Sequence, residues 1–168
     1  MKVKFLNKPE FFENLPLDNI LVLTDYIFEV TASTKVLLEM SRHREMSMAC
    51  KSSRYTLSRG DIIFEKTGDP EIDLIMDDLR LKIIDMVAAG KKNDVTSLML
   101  PQVYQYRWVV QFNALSLQNF LNLRLDSHAH YHIRDVAIEM YNAIPEEHKH
   151  LFSDIYQKKI KSTNKKGN

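Results

Sequence analysis

The chain of 168 residues holds a single cysteine, Cys50. One thiol excludes an intrachain disulfide and a cysteine-rich metal cluster. An excess of one charge is also lacking: 23 basic and 22 acidic side chains leave a formal net charge of +1. Long-range attraction to nucleic acid or to an acidic membrane is therefore not implied. No apolar run approaches the length that spans a bilayer, and Met1-Lys2-Val3-Lys4-Phe5-Leu6-Asn7-Lys8 lacks the apolar stretch of a signal peptide. The expectation is a cytoplasmic protein that engages neither nucleic acid nor membrane. Glycine and proline are sparse, at 4 and 5 residues. So few chain breaks favour long periodic segments and a helix-rich fold.

Hydrophobic residues make up 45% and charged residues 27%, the balance of a soluble globular chain. The length suits one domain over residues 1–168. Residues 21–30 are rich in β-branched and aromatic side chains and predict a strand. Residues 31–44 follow as a helix, with Val36, Leu37, Met40 and His43 at helical spacing. Residues 45–55 are small and polar and predict a loop, and residues 60–67 a short strand. A helix starts after Gly68-Asp69-Pro70. Ile72, Ile75, Leu79, Ile83 and Met86 recur along it at steps of three and four, and Gly90 stops it. Its apolar stripe belongs to the core or to a subunit interface. Asn93 is placed to cap a short helix ending near Pro101. Residues 103–112 fit a strand and a helix alike. Residues 114–125 predict a helix, Ser127 a cap for another running to Ala143, and Pro145 the start of the last. The lysine-rich end, residues 158–168, reads as a solvated, frayed tail, with a phosphate-contacting arm as the alternative.

The densest polar cluster is Arg42-His43-Arg44 followed by Ser47, Ser52, Ser53, Arg54 and Tyr55. Guanidinium forks hold phosphate bidentately, and loop hydroxyls and amides complete such a cradle. The cluster therefore reads as an anion site for a nucleotide phosphate, or more plainly as a solvated basic helix end. A second constellation sets Asn113, Asn119 and Arg124 among apolar residues, where amides and arginines need partners. Backbone groups would serve, and so would a cofactor ring or a base edge. A third comprises His128, His130 and His132. On a strand they would share one face and suit a metal. The helix expected there aligns only His128 and His132, so no metal is assigned.

Together the first two constellations resemble the flavin-dependent thymidylate synthases. That family carries Arg-His-Arg, seven residues, then Ser, matched by Arg42-His43-Arg44 and Ser52, and continues to Arg54-Tyr55. Its second signature resembles Asn113-Ala114, Asn119-Phe120-Leu121-Asn122-Leu123-Arg124 and Asp126-Ser127-His128-Ala129, with Leu100-Pro101 at the family's distance from Asn113. The resemblance runs from Phe28 to Met140. It implies an α+β fold, helix-rich with a small sheet, and a homotetramer in which several chains build each site. The implied reaction is methylation of dUMP to dTMP with FAD, methylenetetrahydrofolate as one-carbon donor and NADPH as reductant. By the same resemblance Arg42, His43 and Arg44 contact flavin, with Arg42 also near the nucleotide. Asn113 and Asn119 hold flavin, Ser52, Ser53 and Arg54 hold the nucleotide phosphate, and Arg124 faces the pyrimidine.

The chain departs from that pattern at several points. Ala49-Cys50 stands for Asn-Glu, which puts Cys50 among the nucleotide-binding positions. Ser97 and Leu115 replace arginines, and Ala129-His130-Tyr131-His132 stands for Ala-Gln-x-Glu. A segment with Thr-Pro-Phe-Glu-His survives at most as Leu15-Pro16-Leu17-Asp18-Asn19. Glu39 stands for a Gln near the nucleotide. A carboxylate there would favour the amino group of cytosine over the carbonyl of uracil, unless Glu39 simply pairs with Arg42 three positions on. Alternatives to dUMP methylation are therefore a relative that acts on dCMP or delivers hydroxymethyl, or a nucleotide- or flavin-binding protein without turnover.

Overall fold

From Asp25 to Ser33 every second side chain is apolar, the pattern of a strand with one buried face. The computed structural model, which describes residues 1–5, 16–59 and 61–164, makes this segment the long strand β2 (Asp25–Ser33). Tyr26, Phe28, Val30 and Ala32 point inward and are fully buried. β2 pairs with β1 (Lys2–Phe5) on one side and with β4 (Gln105–Asn113) on the other; β3 (Ser47–Cys50) pairs with β4 at the far edge. The sheet is antiparallel throughout, in the order β1-β2-β4-β3. The segment that fitted strand and helix alike is thus a strand, and it buries Trp108, Val110 and Phe112 beside β2.

Helices cover this buried face. α2 (Thr34–Met40) brings Val36 and Met40, α6 (Ala114–Arg124) brings Leu117, Phe120 and Leu121, and α7 (Tyr131–Asn142) brings Ile133, Val136 and Met140 to one core. The Trp108 indole N–H donates to the Met40 sulfur at 3.4 Å, tying α2 to β4. This is the helix-rich α+β class expected.

Several boundaries differ from expectation. Residues 21–23 do not open the strand but end a helix, α1 (Leu17–Leu23). Pro16 starts it, its carbonyl accepting from the N–H groups of Asn19 and Ile20. Proline's fixed φ favours such a start, and that local signal overrides the β-rich composition. α2 ends at Met40 rather than at Arg44, with the Ser41 hydroxyl donating back to the Leu38 carbonyl at 2.9 Å. The expected loop at 45–55 contains β3 and a short helix, α3 (Ser53–Thr56). All four β3 residues are exposed, so no alternation marked it. Of the expected strand at 60–67, Gly60 lies outside the described residues; the rest forms one isolated bridge, Phe64 to Tyr104.

α4 (Pro70–Ala88) begins and ends where the sequence placed it. Asp69 accepts from the N–H groups of Glu71 and Ile72, and Gly90 takes the positive φ of 75° that a side chain resists. Ile83 is buried in a second cluster with Leu57, Ile62 and Tyr104, whereas Ile72, Leu74 and Ile75 face outward. Asn93 is not a cap: α5 (Asn93–Thr96) is entered from Lys92, and the Asn93 amide donates to Ser58 Oγ at 3.1 Å. Ser127 is not one either, because α7 starts at Tyr131 with His130 Nδ1 accepting from the His132 N–H. Pro145 opens a 3-10 turn (Glu146–Leu151), which leads into α8 (Ser153–Asn164). The basic end is therefore helical to Asn164, and Lys159 is tied to Asp126 at 2.9 Å; Lys165 and Lys166 lie outside the described residues. Among the described residues no helix is long and apolar enough to cross a membrane.

Candidate active site

Two strand–helix units deliver the site. β2 runs into α2, and because α2 stops at Met40, Arg42, His43 and Arg44 leave it on a turn closed by the His43 N–H to the Met40 carbonyl at 2.9 Å. β4 runs into α6 through Asn113, whose Oδ1 accepts from the Ser116 N–H at 2.8 Å. The units meet in a cleft of about 350 Å³. Arg42, His43, Arg44 and Glu45 line it from the first unit, and Ser116, Asn119 and Arg124 from the second, with Phe112 and Leu123 as apolar wall. Arg42-His43-Arg44 of the first constellation thus meets Asn119 and Arg124 of the second, although about seventy residues of chain separate them.

Arg124 binds the halves to each other. Its Nε donates to His43 Nε2 at 2.9 Å, its Nη1 to Glu39 Oε2 at 3.3 Å, and its Nη2 to the Glu39 backbone carbonyl at 3.0 Å. Glu39 is 8% exposed, and its other carboxylate oxygen lies 3.3 Å from Lys35 Nζ. The expected pair of Glu39 with Arg42 is therefore not formed; the carboxylate turns inward to Arg124 and Lys35. The contact also fixes His43. A ring nitrogen that accepts carries no proton, so the neutral imidazole has its hydrogen on Nδ1. Burial and then the Arg124 charge hold His43 below its ordinary value of 6.5, which favours that neutral form. The ring packs edge-on against Phe120 at 5.0 Å between centroids.

The cleft is suited to a flat, anionic ligand. Exposed Arg42 and Arg44 supply positive charge at the rim, Asn119 an amide, and Phe112 and Leu123 apolar surface. The other expected site residues stand apart. Cys50 lines a different cleft of about 400 Å³, with Glu29, Arg107 and Trp108, beside the open face of the sheet. Although its surface is exposed, desolvation by the neighbouring strand raises its thiol above the ordinary value, which argues against a reactive thiolate. Ser52 and Ser53 begin α3, and Arg54 pairs with Asp94 at 2.6 Å. Asn113 is not among the residues lining the cleft, and its side-chain oxygen serves the α6 cap. The three histidines do not form one ligand set: His128 bonds to Asp126, while His130 stacks on Tyr131 and meets the His132 ring edge-on at 5.2 Å, and His132 is buried 4.0 Å from Glu65. Among the described residues no three metal-ligating side chains converge.

Four contributors went unmarked in the sequence: Lys35, Glu45, Phe112 and Ser116. Lys35 carried a usable signal, its four-residue spacing from Glu39 on one helix face. Ser116 carried a weaker one, three residues after a capping Asn.

A family model described as thymidylate synthase complementing protein matches residues 18–148. A flavin-dependent thymidylate synthase of Helicobacter pylori (strain 26695) is 32% identical over 152 residues, covering 77% of this chain and 71% of its own. One of Wolinella succinogenes is 32% identical over 146 residues, covering 79% and 71%. Among solved structures, a crystal structure of the flavin-dependent enzyme of Helicobacter pylori complexed with FAD and dUMP superposes with a TM-score of 0.73. It is 29% identical, over 82% of this chain and 76% of its own.

Proposed function

The chain belongs to the flavin-dependent thymidylate synthase family, and on that premise we propose that it methylates dUMP to dTMP, with methylenetetrahydrofolate as one-carbon donor and NADPH as reductant. The carrying observation is the convergence of Arg42-His43-Arg44 with Asn119 and Arg124 on one cleft, joined by the Arg124–His43 hydrogen bond. FAD, when bound, supplies the redox chemistry of the reaction. The residues present fit it. Cationic and amide donors suit the carbonyl-rich rim of a flavin, and apolar Phe112 and Leu123 suit its ring face. In this reading Arg42, His43, Arg44 and Asn119 hold the flavin, and Asn113 adds its amide N–H groups. Arg124 faces the pyrimidine and stabilises negative charge as the ring is activated, a donor oriented before the reaction begins.

Ser52, Ser53 and Arg54 would hold the nucleotide phosphate, with Cys50 nearby. They lie outside the cleft of their own chain, which supports a site completed by a neighbouring copy. A cleft of about 350 Å³ is at the small end for ligand sites, too small for a dinucleotide and a substrate together. A homotetramer with shared sites, acting in the cytoplasm as a single domain per chain, is the assembly proposed. The inward turn of Glu39 removes the feature that pointed toward dCMP. The test is the absorption spectrum of the purified protein with FAD, followed by an assay for dTMP formed from dUMP. A protein that neither takes up FAD nor forms dTMP would sink the reading.

A further inference from the structure

A guanidinium carries five N–H bonds in a rigid plane. In Arg124 three nitrogens already donate to the protein: Nε to His43, Nη1 to the Glu39 carboxylate and Nη2 to the Glu39 carbonyl. One N–H on each Nη is left over. The plane cannot rotate without breaking several of these bonds, and Lys35 holds the carboxylate from its far side. Phe120 backs the His43 ring. The head of Arg124 is thus held by α2 and by the turn that follows it, while its stem belongs to α6.

Resting on the function proposed above, we propose that Glu39 is the positioning residue for Arg124 and, through it, the determinant of base choice. A freely moving arginine would retreat from a ligand that offers it the wrong group. One held by a buried carboxylate presents the same two donors to every ligand. A pyrimidine with a carbonyl at position 4 meets those donors with an acceptor. Cytosine meets them with an amino group, which leaves donors facing donors in a half-buried cleft, and such mismatches discriminate strongly. The carboxylate favours uracil although, touching the base itself, it would favour cytosine. Its two oxygens are engaged by Arg124 and Lys35, at 3.3 Å each, so it acts through the arginine.

The experiment compares dUMP with dCMP on the FAD-loaded protein. Dissociation constants come from calorimetry and kcat/KM from product formation, for the parent, Glu39→Gln and Glu39→Ala. The parent should prefer dUMP. Glu39→Ala frees the guanidinium, so the dUMP-to-dCMP preference should shrink by about tenfold or more. Glu39→Gln retains an oxygen for Nη1 and should keep part of it. FAD content should be unchanged in both. A role confined to stability predicts equal losses for the two nucleotides, and an unchanged ratio in both variants overturns the proposal. Should Glu39→Ala fail to fold, the near-isosteric Glu39→Gln decides alone, and an unaltered ratio there counts against it. Failure of the broader reading looks different: it appears in the parent, as absent FAD uptake or absent dTMP. The binding ratio still judges Glu39 where turnover alone is missing, and a parent that binds neither nucleotide overturns both.

Discussion

His43 and Arg124, 81 residues apart in the chain, share a hydrogen bond in which the imidazole is the acceptor. Protonating the ring would set N–H against N–H beside a guanidinium. Burial and the Arg124 charge accordingly hold His43 below 6.5. An unfolded imidazole takes up its proton near pH 6.5, whereas the folded one resists until the pH is lower. Stability is therefore full above about pH 6.5 and falls as the pH drops toward the folded value. Melting temperatures from pH 8 to 5 should decline on the acid side. His43→Gln, which keeps an acceptor but does not titrate, should decline less. Identical acid slopes for parent and variant would separate His43 from the effect.

Arg124→Ala removes the donor aimed at the pyrimidine. Turnover should fall about 100- to 1,000-fold while the flavin spectrum persists. Glu39 would keep only Lys35, so the variant should also lose on the order of 1–3 kcal/mol of stability. Arg124→Lys restores the charge but not the planar fork that meets His43 and Glu39 together, so its turnover should stay low. Steady-state kinetics beside thermal melts separates the effects; an alanine variant with parental turnover rejects the assignment.

Asn113 serves two masters if it both caps α6 and holds flavin. Asn113→Ala should cost about 1 kcal/mol of stability through the lost cap. Asn113→Asp keeps the capping oxygen but loses the amide donor. Parental melting with weakened FAD titration in the aspartate variant would mark a flavin contact. Parental behaviour in both measurements would confine Asn113 to the cap.

The outward face of α4 carries Ile72, Leu74 and Ile75, all largely exposed in the single chain. Large apolar side chains left exposed together along one helix suit a subunit interface. Light scattering should find a tetramer, and Leu74→Glu with Ile75→Glu should give smaller species of unchanged helix content. A parent that is monomeric at micromolar concentration would remove the shared-site arrangement.

The sequence was most legible where one local signal decided the outcome. Asp69, Pro70 and Gly90 bracket α4 because capping and positive φ are local requirements. β2 was legible from its β-branched and aromatic composition, but that reading gave Thr31, Ala32 and Ser33 to the next helix, although they continue the strand. The strand β3 left no trace, since an edge strand exposed at every residue has no buried face to pattern. Ser127 misled as a cap because His130 bonds the first turn of α7, three residues further on. At the site, the family motifs named Arg42, His43, Arg44, Asn119 and Arg124, which line one cleft, and Ser52, Ser53 and Arg54, which do not; the partner of Glu39 was out of reach. Spacing along a helix suggests Arg42, but only tertiary packing brings Arg124 to it from 85 residues away.

The pairing of β2 with β4 sets when the cleft appears as well as where. Their register joins Asp25 to Asn113 and Ser33 to Gln105, so the ladder closes a loop of 71 residues at its nearer end, from 34 to 104. Such closure carries its entropic cost before any contact rewards it, and non-local pairing is the slow part of folding. α2 and α6 each follow one of these strands, so neither half of the cleft is seated until the ladder is zipped. Early, locally formed helices such as α4 would precede it. During refolding, flavin colour should therefore return with the slowest phase, after most helical signal has recovered, making the bound chromophore a clock for the last long-range step.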